Sequence, residues 1–349
     1  MKLDVKSMTK KELESSFLSM GEKGFRARQV FRWLYKGITD FREMANLPET
    51  LRAKLDEKAF IEKVEIQKVQ ISSKDGTRKY LFRLRDGRAV EGVFMKYKYG
   101  NAACISSQAG CRMGCVFCAS GMAGLARNLT AGEMADEILA MERDTGERVG
   151  HLVVMGTGEP LDNYGELAVF LRNIHDEEGL NLSWRAITVS TCGLVPQIET
   201  FGDEFPQVNL AISLHASCDE ERNALMPVNR KYAMNELLQA CRRHAEKTGR
   251  RVTFEYTLIR GVNDGADRAD RLADCLSGIL CHVNLIPLNP VSEKSFRGID
   301  RRAAEQFRKL LETRGIPATV RRSLGSDIDA ACGQLRLEEL KETKNTKNS

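Results

Sequence analysis

Gly110-Cys111-Arg112-Met113-Gly114-Cys115-Val116-Phe117-Cys118 sets three cysteines in a C-x3-C-x2-C spacing, directly after a strand-like run at Ala102–Ser106. Gly110 and Gly114 give this loop the backbone freedom to wrap a bulky ligand, and three thiolates so near in sequence are expected to converge on one point. A structural zinc site needs four protein ligands. After Cys118 the next histidine is His151 and the next cysteine Cys192, so no local fourth ligand exists. Three cysteines can instead hold three irons of a [4Fe–4S] cluster and leave the fourth iron open to a small molecule, which is a catalytic feature.

Outward from this loop the apolar runs recur. Ala102–Ser106, His151–Met155, Ala186–Ser190, Val208–Leu214, Val252–Ile259 and His282–Pro287 read as strands, with Ala318–Arg322 following. Helical stretches separate nearly all of them, one opened at Thr130 by a capping box with Glu133. Six such β/α units predict an α/β fold with a parallel sheet and right-handed crossovers. They are too few to close an eight-stranded barrel, so a partial (β/α)6 barrel is expected, with its active site at the strands' C-terminal ends.

Residues 1–60 read as a helical accessory domain: Thr9 and Glu12 form a capping box, Phe25, Ala27, Phe31, Leu34 and Tyr35 have helical spacing, and Pro48 marks a further short helix. Arg28, Arg32 and Lys36 share one helix face and could meet phosphate. Residues 61–99 switch to period two, with an Asp86-Gly87 turn that predicts a small β-hairpin or meander. The core is then 100–335, and the charged tail 336–349 is expected to be disordered.

The 349 residues suit two domains, or one large domain with an appendage. The net charge of +5 permits a nucleic-acid partner without demanding one. Ten cysteines are too sparse for a disulfide scaffold and point to metal or thiol chemistry. No apolar run approaches the roughly 18 residues that span a bilayer, and the N-terminus lacks a signal-like apolar segment. A reducing cytoplasm and no membrane partner are therefore expected.

Polar residues gather where the active site is expected. Gly156-Thr157-Gly158-Glu159-Pro160 follows the second strand; Leu161 stands where a dinucleotide fingerprint would need its third glycine, which excludes that motif. Ser190 ends the third strand, Ser213-Leu214-His215 ends the fourth, and Asn289 follows the sixth.

The cysteine signature resembles that of the radical S-adenosylmethionine (SAM) superfamily, in which the open iron binds SAM and an electron from the cluster cleaves it to a 5′-deoxyadenosyl radical. By that resemblance Gly158 and Glu159 contact the amino group of SAM, while Ser190, Ser213, Leu214, His215 and Asn289 contact its ribose, carboxylate and adenine. Within the superfamily the chain resembles the RlmN/Cfr group of RNA adenine methyltransferases over nearly its whole length. The resemblance rests on Cys104–Cys111, Met155–Leu161, Ile212–His215 and Asp327–Gln334.

An amidine-type adenine carbon is electron-poor, and the methyl of SAM is itself an electrophile, so ordinary methyl transfer has the wrong polarity. A thiolate can accept the methyl by displacement and then lose hydrogen to a radical. The resemblance makes Cys332 this methyl carrier, Cys104 the cysteine that resolves the protein–RNA adduct by a disulfide with Cys332, and Glu91 the proton acceptor. Glu91 shares a strand face with Val93 and Met95, where a partly desolvated carboxylate suits a base. Cys192, Cys218, Cys241, Cys275 and Cys281 have no such pattern and read as small core or surface residues.

The resemblance implies methylation at C2 of an adenine in 23S rRNA and of the adenosine 3′ to the tRNA anticodon. It also implies two SAM molecules per turnover, an electron donor such as flavodoxin or ferredoxin, and a monomer whose N-terminal helical domain grips RNA. Met95–Gly100 resembles the C8-methylating branch, whereas Gly158–Asn163 and His282–Pro287 resemble the C2-methylating one. A rival from another class is a non-catalytic zinc-dependent RNA-binding protein.

Overall fold

The computed structural model describes residues 2–122, 124–288, 296–322, 324–325 and 327–328. Asn289, Cys332 and the tail 336–349 lie outside the described residues.

The chain starts with β1 (Leu3–Asp4), α1 (Lys10–Ser19), α2 (Gly24–Leu34), α3 (Glu49–Lys58) and β2 (Ala59–Phe60), with β1 and β2 paired in parallel. The capping box at Thr9 and Glu12 opens α1, and Pro48 caps α3. Helix α2 buries Ala27, Val30, Phe31 and Leu34. Phe25 belongs to the apolar series of the sequence but lies on the exposed side, its ring 4.8 Å from the Arg26 guanidinium.

Three antiparallel strands follow: β3 (Glu65–Ile71), β4 (Arg78–Arg83) and β5 (Ala89–Tyr97). The last two are joined through the Asp86-Gly87 turn, where Leu84 N donates to Arg88 O. The meander joins the core sheet directly, because β5 pairs with β6 (Gly100–Ile105).

The core continues through the short strands β7 (Gln108–Gly110) and β8 (Leu125–Asn128), then α4 (Ala131–Thr145), β9 (His151–Val154), α5 (Tyr164–His175), β10 (Ile187–Thr191), α6 (Val195–Glu204) and β11 (Asn209–Ser213). It ends with α7 (Asp219–Leu225), α8 (Met234–Thr248), β12 (Val252–Leu258), α9 (Ala266–Leu276), β13 (Cys281–Pro287), α10 (Arg301–Thr313) and β14 (Ala318–Val320). Strands β6, β9, β10, β11, β12, β13 and β14 lie side by side in sequence order, all parallel, with a helical crossover between each pair. The ten-stranded sheet has β3 and β14 at its two edges, so six β/α crossovers form an open barrel wall and not a closed ring.

Crossover helix α4 starts at the capping box of Thr130 and Glu133 and stops at Gly146, in the left-handed conformation. It is buried from Ala131 to Met141, because the N-terminal segment covers the face it turns away from the sheet. Lys6 reaches across to Asp136 of this helix.

Candidate active site

The parallel strands end on a cavity of about 340 Å³. One wall is the cysteine loop. Strands β7 and β8 pair on either side of it, and Cys111 N donates to Gly124 O at 3.1 Å, so a two-stranded ribbon pinches the loop at its neck. A Cβ at Gly110, whose φ is +97°, would sit 2.0 Å from Gly124 O, so only glycine fits. At its far side Val116 N donates to Leu225 O of α7, and Met113, Cys115 and Phe117 pack on Cys192, Leu225, Met226 and Ile259.

Cys111, Cys115 and Cys118 all face the cavity. Burial pushes the thiols up, to about 11 for Cys111 and about 12 for Cys115, and the other thiols of the loop push the same way. At neutral pH they become thiolates only where a cation offsets that burial, as a thiophilic metal does. Among the described residues, no three His, Cys, Asp or Glu side chains stand close enough to hold a single metal ion. All three thiols face one cavity and their charges act on one another there. That donor set fits a multi-iron cluster, whose corners reach separate ligands.

The second wall is the loop after β9. Gly156 N donates to Ile105 O, Thr157 N to Ser106 Oγ, and Ser107 N and Gln108 N both donate to Thr157 O, lacing this loop to the end of β6. Gly158 has φ +117°, and a Cβ there would lie 2.7–2.8 Å from Ser107 and Gln108. Glu159 is buried, which raises its carboxyl above the usual range, although its oxygens accept from Cys192 N at 2.7 Å and Leu161 N at 3.0 Å. The Cys192 thiol and the Thr191 side chain also hydrogen-bond to it, and its charge on the cavity wall is what would attract a cationic ligand group.

Ser190, Ser213 and His215 line the third side, at the ends of β10 and β11. His215 is buried with a left-handed φ of +56°. Its Nδ1 accepts from Thr257 N at 2.9 Å, which places the ring proton on Nε2. Burial, assisted by the charge of Arg222, pulls its pKa down to about 3, so it is a neutral donor at physiological pH. Leu214 is fully buried and its side chain does not line the cavity; its backbone ties β11 to Glu255 O.

Cys104 of β6 faces the same cavity beside Val93, Met95 and Met155. Glu91 is on the same face of β5, two residues before the lining residue Val93, buried and joined to Lys79 Nζ at 2.7 Å.

Residues not singled out in the sequence complete the lining: Cys192, Glu255, Thr257, Arg321 and Arg322. Cys192 follows β10 by one residue, so the strand-end rule that selected Ser190 applies to it equally. Glu255 is a lone carboxylate within the buried strand β12, where it accepts from Asn284 Nδ2 at 2.9 Å. Burial raises its carboxyl and the Arg321 charge opposes that rise. In the N-terminal helices Arg28 pairs with Glu14 and Arg32 with Glu178. The basic stripe is thus partly neutralised by exposed pairs worth at most about 1 kcal/mol each, which a phosphate can displace.

An open parallel barrel wall with three cysteines in a loop after its first strand defines the class, a radical SAM enzyme. In agreement, the Radical SAM superfamily model matches residues 105–273, and the ribosomal RNA large subunit methyltransferase N-terminal domain model matches residues 3–61. The chain is 55% identical to the probable dual-specificity RNA methyltransferase RlmN of Alkaliphilus oremlandii, over 97% of this chain and 99% of that one. It is 53% identical to the protein of the same name from Pelotomaculum thermopropionicum, over 96% and 92%. A crystal structure of a radical SAM methyltransferase from Sphaerobacter thermophilus superposes with a TM-score of 0.90 at 47% identity, covering 95% of this chain and 98% of that one. The chain belongs to the RlmN family of dual-specificity RNA methyltransferases. Membership brings SAM and an iron–sulfur cluster with it. Among the described residues no helix is long and apolar enough to cross a membrane.

Proposed function

We propose that the chain methylates C2 of an adenine in 23S rRNA, at the peptidyl-transferase centre, and C2 of the adenosine 3′ to the anticodon in tRNA. The observation that carries this reading is the presence of Cys104 on the same cavity as Cys111, Cys115 and Cys118. A thiol beyond the three-ligand set is what transfer to an electron-poor ring carbon requires. One [4Fe–4S] cluster per chain, held by those three cysteines, supplies the electron that turns SAM into a 5′-deoxyadenosyl radical.

The remaining steps belong to the protein. Glu159 holds the amino group of one SAM, with Ser190, Ser213, His215 and Asn289 around the rest of it. Cys332 takes the methyl of another SAM by displacement at carbon, so two SAM molecules serve each turnover. The methyl, having lost a hydrogen atom, would bond to C2 as a carbon radical; Glu91 accepts the ring proton while the adduct gives back one electron to the oxidised cofactor. Cys104 then attacks the Cys332 sulfur, so that the carbon–sulfur bond breaks as a disulfide forms and the released methylene carbon takes up a proton to become the methyl group. A cytoplasmic reductant restores both thiols.

Residues 1–60 grip the RNA, 61–99 form the meander, 100–335 the catalytic core and 336–349 a tail. The target base is unstacked to enter the cavity, which suits single-stranded or loop RNA. The protein acts as a monomer with reduced flavodoxin or ferredoxin as electron donor. Anaerobic purification tests the cofactor: brown protein with about four irons per chain supports the reading, and stoichiometric zinc without iron favours the zinc-dependent RNA-binding protein.

A further inference from the structure

Arg222 of α7 has no exposed surface. Its guanidinium donates to Cys192 O at 2.6 Å, Asn229 Oδ1 at 2.9 Å, Ser213 O at 3.2 Å and Leu214 O at 3.3 Å. All four acceptors are neutral carbonyl oxygens. The helix also carries Asp219, Glu220 and Glu221; Asp219 Oδ1 accepts from Asn229 Nδ2 and Met234 N, and among the described residues no carboxylate hydrogen-bonds to the guanidinium. A buried cation without a direct anionic partner costs several kcal/mol, and arginine does not shed its proton to escape that cost.

The anion that offsets it is to be sought on the other side. Arg222 is hydrogen-bonded to the carbonyl of Cys192, whose side chain lines the cavity with Cys111, Cys115 and Cys118. The same helix holds the cysteine loop through Leu225 O and Val116 N, the residue after Cys115.

We propose that Arg222 is the fixed countercharge of the iron–sulfur cluster, and that it raises the cluster's reduction potential by favouring the more negative, reduced form. The proposal rests on the three-cysteine cluster described above. Arg222 is a positioning residue in electrostatic terms: it is buried behind the cavity wall and does not line it, and it acts on how readily the electron is accepted.

The test is dye-mediated redox titration of the anaerobically reconstituted protein, read by the electron paramagnetic resonance signal of the reduced cluster. In Arg222→Gln the ratio of reduced to oxidised cluster at a fixed potential is expected to fall at least tenfold, a shift of about 59 mV for a one-electron couple. Arg222→Lys keeps the charge and should restore most of that ratio, even where its melting temperature is lower. If Arg222→Gln does not fold, Asn229→Asp sets a carboxylate against the guanidinium and should move the ratio in the same direction. Iron-loaded variants that titrate like the wild type would overturn the proposal and leave Arg222 a structural residue. A wild-type protein that binds no cluster would instead remove the reading on which it rests.

Discussion

Lys6 Nζ stands 2.7 Å from Asp136 Oδ1, and neither side chain has any exposed surface. The pair fastens the N-terminal segment to the first crossover helix, and Asp136 also accepts from Val64 N and Arg143. Burial raises the Asp136 carboxyl, but the charges of Lys6 and Arg143 overcome it, so the net displacement is downward. Removing one partner of a buried pair costs ~3 kcal/mol. Lys6→Met should lose about that much in urea denaturation. The depressed Asp136 contributes stability present above the unfolded carboxyl value of about 3.9 and lost as pH falls through the folded one. The acid unfolding midpoint of Lys6→Met should therefore lie at higher pH than that of the wild type.

His215 gives a second pH dependence of the same sign, from a group held neutral instead of charged. Folded, it titrates at about 3; unfolded, at the usual value near 6.5. Between these values the unfolded chain binds a proton that the folded chain refuses, so stability falls as pH drops from about 6.5 toward 3. His215→Gln should show a shallower loss over that interval, measured as denaturant midpoint against pH. An equal slope in the two proteins would mean that the ring is not held neutral.

Gly156 is fixed by close approach. A Cβ there would lie 2.6–2.8 Å from the Ile105 carbonyl and Ser106 amide, which are backbone atoms at the end of β6 and cannot step aside. Gly156→Ala should cost about 1–3 kcal/mol by overpacking. Because the loop carries Gly158 and Glu159, it should also weaken SAM binding in isothermal titration at least tenfold. Gly165 near the start of α5 has open space around it, and Gly165→Ala should be neutral or slightly stabilising.

The two proposed transfer thiols separate by product. Cys332→Ala should keep its iron and form no methylated RNA. Cys104→Ala should carry the methylene bridge but not release it, giving a protein–RNA adduct that survives denaturing electrophoresis. Turnover by Cys104→Ala without an adduct would remove it from the resolving step.

Much of this is legible in the sequence. The parallel strands and their crossover helices, both capping boxes and the Asp86-Gly87 turn follow from local patterns that act within a few residues, whereas the strand order comes from the folded sheet. The strand-end rule selected Ser190, Ser213 and His215 because a parallel sheet presents its C-terminal ends on one side. The rest depends on contacts distant in sequence. Nothing local to Arg222 says that it is buried among the carbonyls of β10 and β11. Glu255 reads as an ordinary strand residue until Asn284 of the neighbouring strand meets it. Lys79 and Glu91 are diagonal neighbours on β4 and β5, and only the register of the folded meander brings them together. In the triplet Ser213-Leu214-His215 the middle side chain turns into the core, so any contact of Leu214 with a ligand would be through its backbone.

The most direct test of the account is anaerobic turnover with methyl-labelled SAM on 23S rRNA and on tRNA, followed by nucleoside mass spectrometry against C2- and C8-methyladenosine standards. The account predicts label in 2-methyladenosine from both RNAs. Label found exclusively in 8-methyladenosine, or absent from an iron-loaded protein supplied with electrons, would contradict it.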